Sequence, residues 1–250
     1  MPNSVTERVQ GLIYLLKHPK QVKWLIIRET RFRNRKQSKC DWVEWQKYDA
    51  RLHISMMQEN AEKINTSVLN SARIQDFSEL INTVGSNLSV LDVGCGDGVI
   101  SKPIAKMGNE VVSMELPGVA NLARVCGVTS VVAGDAEQLA FAPHVFDLVL
   151  ASEVVEHMWN PQNFIDEAYR VLRPEGYLIV ETPEGEEGLN YDSHKHFFTV
   201  ERLKQMLNAK FVFCDVRRLE ATGSAQTPTI ILLLKKTTST GKQPEGQMED

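Results

Sequence analysis

Apolar residues recur at helical spacing through the first part of the chain and in short runs thereafter. Val5, Val9, Leu12, Ile13 and Leu16 share one helical face, and Ser4 with Glu7 forms a capping box in front of them. His18-Pro19 closes that helix and can open a second, because proline suits a first helical turn. Val22, Leu25, Ile26 and Phe32 give the second helix an apolar side, and its other side is basic. Asp41 and Glu44 form a further capping-box pair, opening a segment with Trp42, Trp45, Tyr48 and Leu52. Helical character is expected to continue, with breaks, to Val84.

From Leu88 the pattern changes. Strands are expected at Val90–Val93, Val111–Glu115, Ser130–Ala133, Phe146–Ser152 and Gly176–Glu181, with helices near 98–107, 117–126 and 161–172 between them. This alternation predicts βαβ units, an α/β fold with a parallel sheet and helices on both faces. A helix over Thr199–Asn208 follows, then strand-like runs at Phe211–Glu220 and Thr229–Lys235. No helix fits between those two runs, so they are expected to pair as an antiparallel hairpin. Residues 237–250 are polar and read as a tail. The resulting division is a basic arm (1–40), a helical cap segment (41–85), a sheet domain (86–236) and the tail.

Composition agrees with a globular chain: of 250 residues, 42% are hydrophobic and 24% charged, close to folded averages. Runs such as Leu12–Leu16 and Ile230–Leu234 are far shorter than the roughly 20 apolar residues of a membrane span. The first residues lack the order of a secretory leader, since Glu7 and Arg8 precede a short apolar stretch that stops at Lys17. The cysteines Cys40, Cys95, Cys126 and Cys214 contain no C-x-x-C pair, which favours reduced thiols and a cytoplasmic setting. Charge is uneven: residues 1–40 carry a net +8 and the rest −12. A basic, partly apolar arm suits a solvated face, the anionic inner surface of a membrane, or RNA phosphates. The acidic body disfavours nucleic acid.

The densest cluster of candidate chemistry is Val90-Leu91-Asp92-Val93-Gly94-Cys95-Gly96-Asp97-Gly98, a strand that runs into glycines and then a helix. Glycines there let the backbone turn sharply and approach a ligand. Val99 stands where the dinucleotide fingerprint needs its last glycine, so the spacing is G-x-G-x-G. Glu115 ends the next strand, where a carboxylate can accept both hydroxyls of a ribose. Gly134-Asp135-Ala136-Glu137 follows the third strand. Phe146-Asp147-Leu148-Val149-Leu150-Ala151-Ser152-Glu153-Val154-Val155-Glu156-His157 delivers polar groups to the end of the fourth, and Leu172-Arg173-Pro174-Glu175-Gly176 turns a helix into the fifth.

In this order the motifs VLDVGCGDG, a strand-two acid, GDAEQLAF, FDLVLASEVVEH and LRPEGYLIVETP resemble the class I S-adenosylmethionine-dependent methyltransferases, over about residues 86–235. The resemblance implies a Rossmann-like, doubly wound, mostly parallel seven-stranded sheet with a C-terminal antiparallel hairpin, and S-adenosylmethionine across its C-terminal strand ends. It places Asp92 and Gly94 near the amino-acid part, with Cys95 as a small filler between the close-approach glycines Gly96 and Gly98. It places Glu115 at the ribose, Leu116 beside it among the cofactor-binding residues, Asp135 and Ala136 at the adenine, and Ser152 and Glu153 near the sulfonium. Leu116-Pro117-Gly118 departs from the usual small polar turn, and Phe141–Phe146 is a short version of its connection.

Methyl transfer is a displacement that asks mainly for positioning and exclusion of water. A hydroxyl acceptor gains from a base titrating near neutrality, which histidine supplies. His157, His194 and His196 are the candidates, each with an alternative reading as a capping or packing group. No metal is expected, because His194 and His196 have no third ligand in view. The Ala-Ser-Glu-Val of strand four differs from the N/D-P-P-Y/F of amino-group methylases, and no Pro-Cys pair offers a cytosine nucleophile. O-methylation of a small molecule, lipid or saccharide is therefore the leading reading. An RNA methyltransferase and a non-catalytic cofactor-binding module are the alternatives.

Overall fold

A computed structural model describes residues 38–59, 68–185, 194–220 and 228–238. The proposed arm up to residue 37, its tryptophan Trp24 and the polar tail beyond residue 238 lie outside the described residues. The chain divides into two compact units, Met1–Gln46 and Lys47–Asp250.

Helix α1 spans Lys39–Glu59. Its start lies earlier than the expected Asp41–Glu44 box: Asp41 N–H donates to Ser38 Oγ (3.2 Å), and Ser38 Oγ–H donates to Asp41 Oδ2 (2.6 Å). Ser38 is thus the N-cap and Asp41 the reciprocating acid, the same device three positions upstream. Trp42 and Trp45 are buried. Helix α2 spans Val68–Val84, and its Phe77, Leu80 and Ile81 form a buried stripe at helical spacing.

The sheet contains seven strands in the order β3-β2-β1-β4-β5-β7-β6. These are β1 Ser89–Val93, β2 Glu110–Glu115, β3 Val131–Ala133, β4 Phe146–Ser152, β5 Leu172–Pro183, β6 Phe211–Leu219 and β7 Thr229–Lys236. β1 to β5 run parallel, and β7 pairs antiparallel with both β5 and β6. The expected doubly wound sheet and C-terminal hairpin are both present. The crossovers carry α3 (Ser101–Lys106), α4 (Ala120–Val125) and α5 (Pro161–Val171), and α6 (Val200–Leu207) precedes β6.

Alternation along the strands assigns side chains to two layers. Leu91, Val93, Val149, Ala151, Leu178 and Val180 face Phe164, Ile165 and Ala168 of α5 and Leu203 and Leu207 of α6. Val90, Leu148, Leu150 and Ile179 face Phe77, Leu80 and Ile81 of α2, Ile104 of α3 and its N-cap residue Ile100. Both faces of the central strands are covered, so they read as continuous apolar runs. Asn160 Oδ1 caps α5 by accepting from Gln162 N–H (3.2 Å), with Pro161 in the first turn. Thr199 Oγ1 caps α6 through Arg202 N–H (3.2 Å). β5 begins at Leu172, directly after α5 and earlier than the expected Gly176. Leu172 pairs with Phe146, and the register then shifts before Leu148. Glu175 takes a positive φ of 65° in that shift. A Cβ on Gly176 would lie 2.9 Å from Arg173 O, which explains the glycine.

Candidate active site

The C-terminal ends of β1, β2, β3 and β4 stand side by side, and the polar residues singled out from the sequence converge there. Parallel strands with switched crossovers leave such a crevice. The turn after β1 is shaped by Gly94 (φ 72°), whose N–H donates to Met114 O (2.8 Å) and on which a Cβ would collide with the Val154 side chain. A Cβ on Gly98 (φ 79°) would lie 2.5 Å from Val128 Cγ2. Gly96 (φ 53°) faces open space, with nothing within 4 Å of such a Cβ. Two glycines therefore serve close internal packing, and the middle one borders room for a ligand.

Glu115 is buried at the end of β2. Gly96 N–H donates to its Oε1 (3.0 Å) and Leu116 N–H to its Oε2 (2.9 Å). Each carboxylate oxygen keeps a lone pair for a further donor. Burial pushes its pKa up, while the two backbone N–H groups and nearby His157 oppose that shift. Asp92 is buried on β1 and accepts from Ser101 Oγ (2.5 Å). Burial raises its pKa to about 6, the Ser101 hydrogen bond opposes the shift, and the Glu115 charge adds to it. Cys95 is buried and its thiol pKa is raised, first by burial and then by Asp92 and Glu115, which disfavours the reactive thiolate. Asp135 Oδ1 accepts from Glu137 N–H (2.9 Å), and Ala136 packs on the apolar layer beside it. The Leu116-Pro117-Gly118 departure forms a turn in which Leu116 O accepts from Val119 N–H (2.8 Å). Gly118 O in turn accepts from Arg51 Nε of α1 (3.0 Å).

A second group of ionisable side chains lies at the ends of β4 and β5. Arg73 of α2 donates through Nη2 to Ser152 Oγ and to Glu181 Oε2, both at 2.7 Å. Ser152 Oγ–H donates to the same Glu181 oxygen. Glu153 adopts φ 56°, and its N–H donates to Glu181 O (3.0 Å). Glu156 is buried, and Thr182 Oγ1 donates to its Oε2 (3.0 Å). Glu153 and Glu156 are both raised well above the usual carboxylate range, chiefly by burial, with neighbouring carboxylates opposing ionisation and Arg73 favouring it.

The histidines separate. His157 and His194 meet edge to face with ring centroids 4.8 Å apart, and His157 Nε2 lies 3.7 Å from Glu156 Oε1. His196 instead directs Nε2 at Met158 O (3.0 Å), which makes that nitrogen a donor to the backbone. Burial lowers its pKa. Of the three candidate histidines, the fold brings His157 and His194 together and sets His196 apart. Glu156, His157 and His194 each bring one donor atom within 4.8 Å of the others, the trio of such groups found among the described residues. Sequence reasoning missed Arg73, Glu156 and Glu181. The available signal was a charged residue at a core position: Arg73 precedes Phe77 by one turn, on the stripe that α2 buries.

Comparison with known proteins follows the same lines. Residues 91–180 match the family model described as "Methyltransferase domain". A ubiquinone biosynthesis O-methyltransferase of Rhizobium etli is 40% identical over 102 residues, covering 38% of this chain and 41% of that protein. One from Xylella fastidiosa is 33% identical over 121 residues, covering 46% and 48%. The chain thus spans less than half the length of these curated relatives. Among solved structures, the N-methyltransferase NodS from Bradyrhizobium japonicum WM9 in complex with S-adenosyl-L-homocysteine superposes with a TM-score of 0.63 at 17% identity, over 76% of this chain and 99% of that one. The 1,6-didemethyltoxoflavin-N1-methyltransferase of Burkholderia thailandensis gives 0.61 at 19% identity, over 80% and 91%. These two likenesses are of fold.

Proposed function

We propose that this chain, whose sheet domain belongs to the class I S-adenosylmethionine-dependent methyltransferases, binds S-adenosylmethionine across its strand ends and methylates a hydroxyl oxygen of a small molecule, lipid or saccharide. The observation that carries the reading is the Glu115 carboxylate, fixed by Gly96 and Leu116 N–H groups beside the open face of Gly96. Its remaining lone pairs suit two ribose hydroxyls. Asp92 and Gly94 would take the amino-acid part, Asp135 and Ala136 the adenine, and Ser152 and Glu153 the rim near the sulfonium. Asp92, Glu115, Glu153 and Glu156 are raised by burial, so the crevice favours a cationic ligand. S-adenosylmethionine has that character, with an ammonium and a sulfonium, and when bound supplies an electrophilic methyl group on a good leaving group.

The chain's own part is to orient the acceptor, exclude water and remove its proton. His157 is half-buried, and we assign it the proton; buried His194 holds its ring edge to face. The 41–85 segment acts as a cap in this reading, since Arg51 reaches the turn at Gly118 and Arg73 the end of β4 at Ser152. No described helix is long and apolar enough to cross a membrane. Membrane contact through residues 1–40 rests on their net charge of +8. Oxygen is preferred over nitrogen because the curated relatives are O-methyltransferases and the histidine pair supplies a base. Calorimetric titration with S-adenosylhomocysteine tests the cofactor assignment. Saturable binding that Glu115→Ala weakens more than tenfold is expected, and no binding to the wild type would overturn it.

A further inference from the structure

Glu137 lies outside every role assigned above, yet it joins the two halves of the site. It is buried in the turn after β3, and its N–H is held by Asp135 Oδ1 at 2.9 Å. Its side chain points to the β4–α5 connection. Trp159 N–H donates to Glu137 Oε1 (2.7 Å), and Asn163 Nδ2 of the first turn of α5 reaches Oε2 (3.4 Å). Trp159 follows His157 by two residues.

The rest of that connection is fastened from another direction. Glu156 O accepts from Lys195 N–H (2.8 Å) and His196 N–H (3.1 Å), and His196 Nε2 reaches Met158 O (3.0 Å). Lys195 Nζ sits 3.9 Å from the centroid of the Trp159 ring. The segment bearing Glu156 and His157 is therefore held on one side by the 194–196 strip, whose His196 Nε2 also lies 3.4 Å from Trp159 O, and on the other by the Glu137 carboxylate. Removing that carboxylate would leave Trp159 N–H without its acceptor and loosen the segment on that side.

We infer that Glu137 is a positioning residue: through Trp159 N–H it fixes the segment that sets His157 against His194, and through Asp135 it ties that placement to the adenine end of the proposed cofactor site. The inference rests on the reading of those histidines as the acceptor side. A hydrogen-bond acceptor of the right reach is what the position requires. Gln supplies one. Asp keeps the charge but is shorter by one methylene, and Ala supplies neither.

The test uses the full chain and needs no acceptor. S-adenosylhomocysteine affinity is measured by calorimetry and the imidazole signals of His157 and His194 by nitrogen-15 magnetic resonance, in wild type, Glu137→Ala, Glu137→Asp and Glu137→Gln. Cofactor-product affinity is expected within twofold of wild type in all three variants. The two ring signals are expected to move in the Ala and Asp variants and to return in the Gln variant. Unmoved signals in the Ala and Asp variants, a Gln variant as displaced as Ala, or affinity that falls in step with the ring shifts would each overturn the inference. If the Ala variant does not fold, the Asp and Gln pair decides. A wild type that binds no S-adenosylhomocysteine would count against the functional reading instead, while the ring signals would still decide the role of Glu137.

Discussion

His157 and His194 lie on segments far apart in the chain, and their rings meet edge to face at 4.8 Å. Backbone pairing of Glu156 O with Lys195 and His196 N–H groups brings the segments together. The His157 side chain is 25% exposed whereas His194 is buried, which separates their roles. His157→Ala is expected to lower turnover by about 10²- to 10⁴-fold, the usual worth of a general base. S-adenosylhomocysteine affinity should stay within twofold. His194→Ala should cost less, about tenfold. Steady-state rates paired with calorimetry check both, and equal small losses would remove the base assignment.

Glu115 makes the prediction for the cofactor side. Glu115→Ala deletes the acceptor of Gly96 and Leu116 N–H groups as well as the proposed ribose contact. A loss of more than tenfold in affinity, about 1.4 kcal/mol, is expected from calorimetry. Glu115→Gln should fall between, because the amide oxygen accepts but its nitrogen cannot.

Asp92 makes the site sensitive to pH. Its pKa is raised from 3.8 to about 6, mainly by burial. The native state therefore holds a proton that the unfolded state has lost between those values. This group's ionisation lowers the stability of the unliganded protein as pH rises through that window, and the loss persists above it. A cationic ligand reverses the preference by stabilising the carboxylate. Affinity for S-adenosylmethionine should accordingly fall as pH drops below about 6, with up to one proton released on binding. Calorimetry in buffers of different ionisation heat measures that proton. The Asp92→Asn variant should lose this dependence.

Arg73 offers a test of the cap. Its guanidinium is the partner of the fully buried Glu181. Arg73→Ala would strand that carboxylate, at a cost of about 3–5 kcal/mol in urea denaturation. Arg73→Ala combined with Glu181→Leu should recover much of the loss, since the unpaired buried charge is then gone.

Much of this was legible in the chain because the relevant signals are local. The doubly wound sheet follows from apolar runs punctuated by glycine turns, and Glu115, Asp92 and Asp135 stand at strand ends within contiguous motifs. The boundaries that shifted, at Ser38 and Leu172, depend on a single capping hydroxyl and on a strand pairing that starts without a loop. What stayed hidden is long-range. No pattern links Arg73 to Glu181, Glu137 to Trp159, or His194 to His157 rather than to the nearby His196. Those partners are set by the stacking of strands and by the strip that follows β5.

The central claim is methyl transfer to oxygen. The most direct measurement incubates the protein with methyl-labelled S-adenosylmethionine and an extract of its own cells, then separates lipid, saccharide, small-molecule, RNA and protein fractions. The account predicts label in a lipid, saccharide or small-molecule fraction, carried as a methoxy group and lost with His157→Ala. Label confined to RNA, or carried on nitrogen, would contradict it.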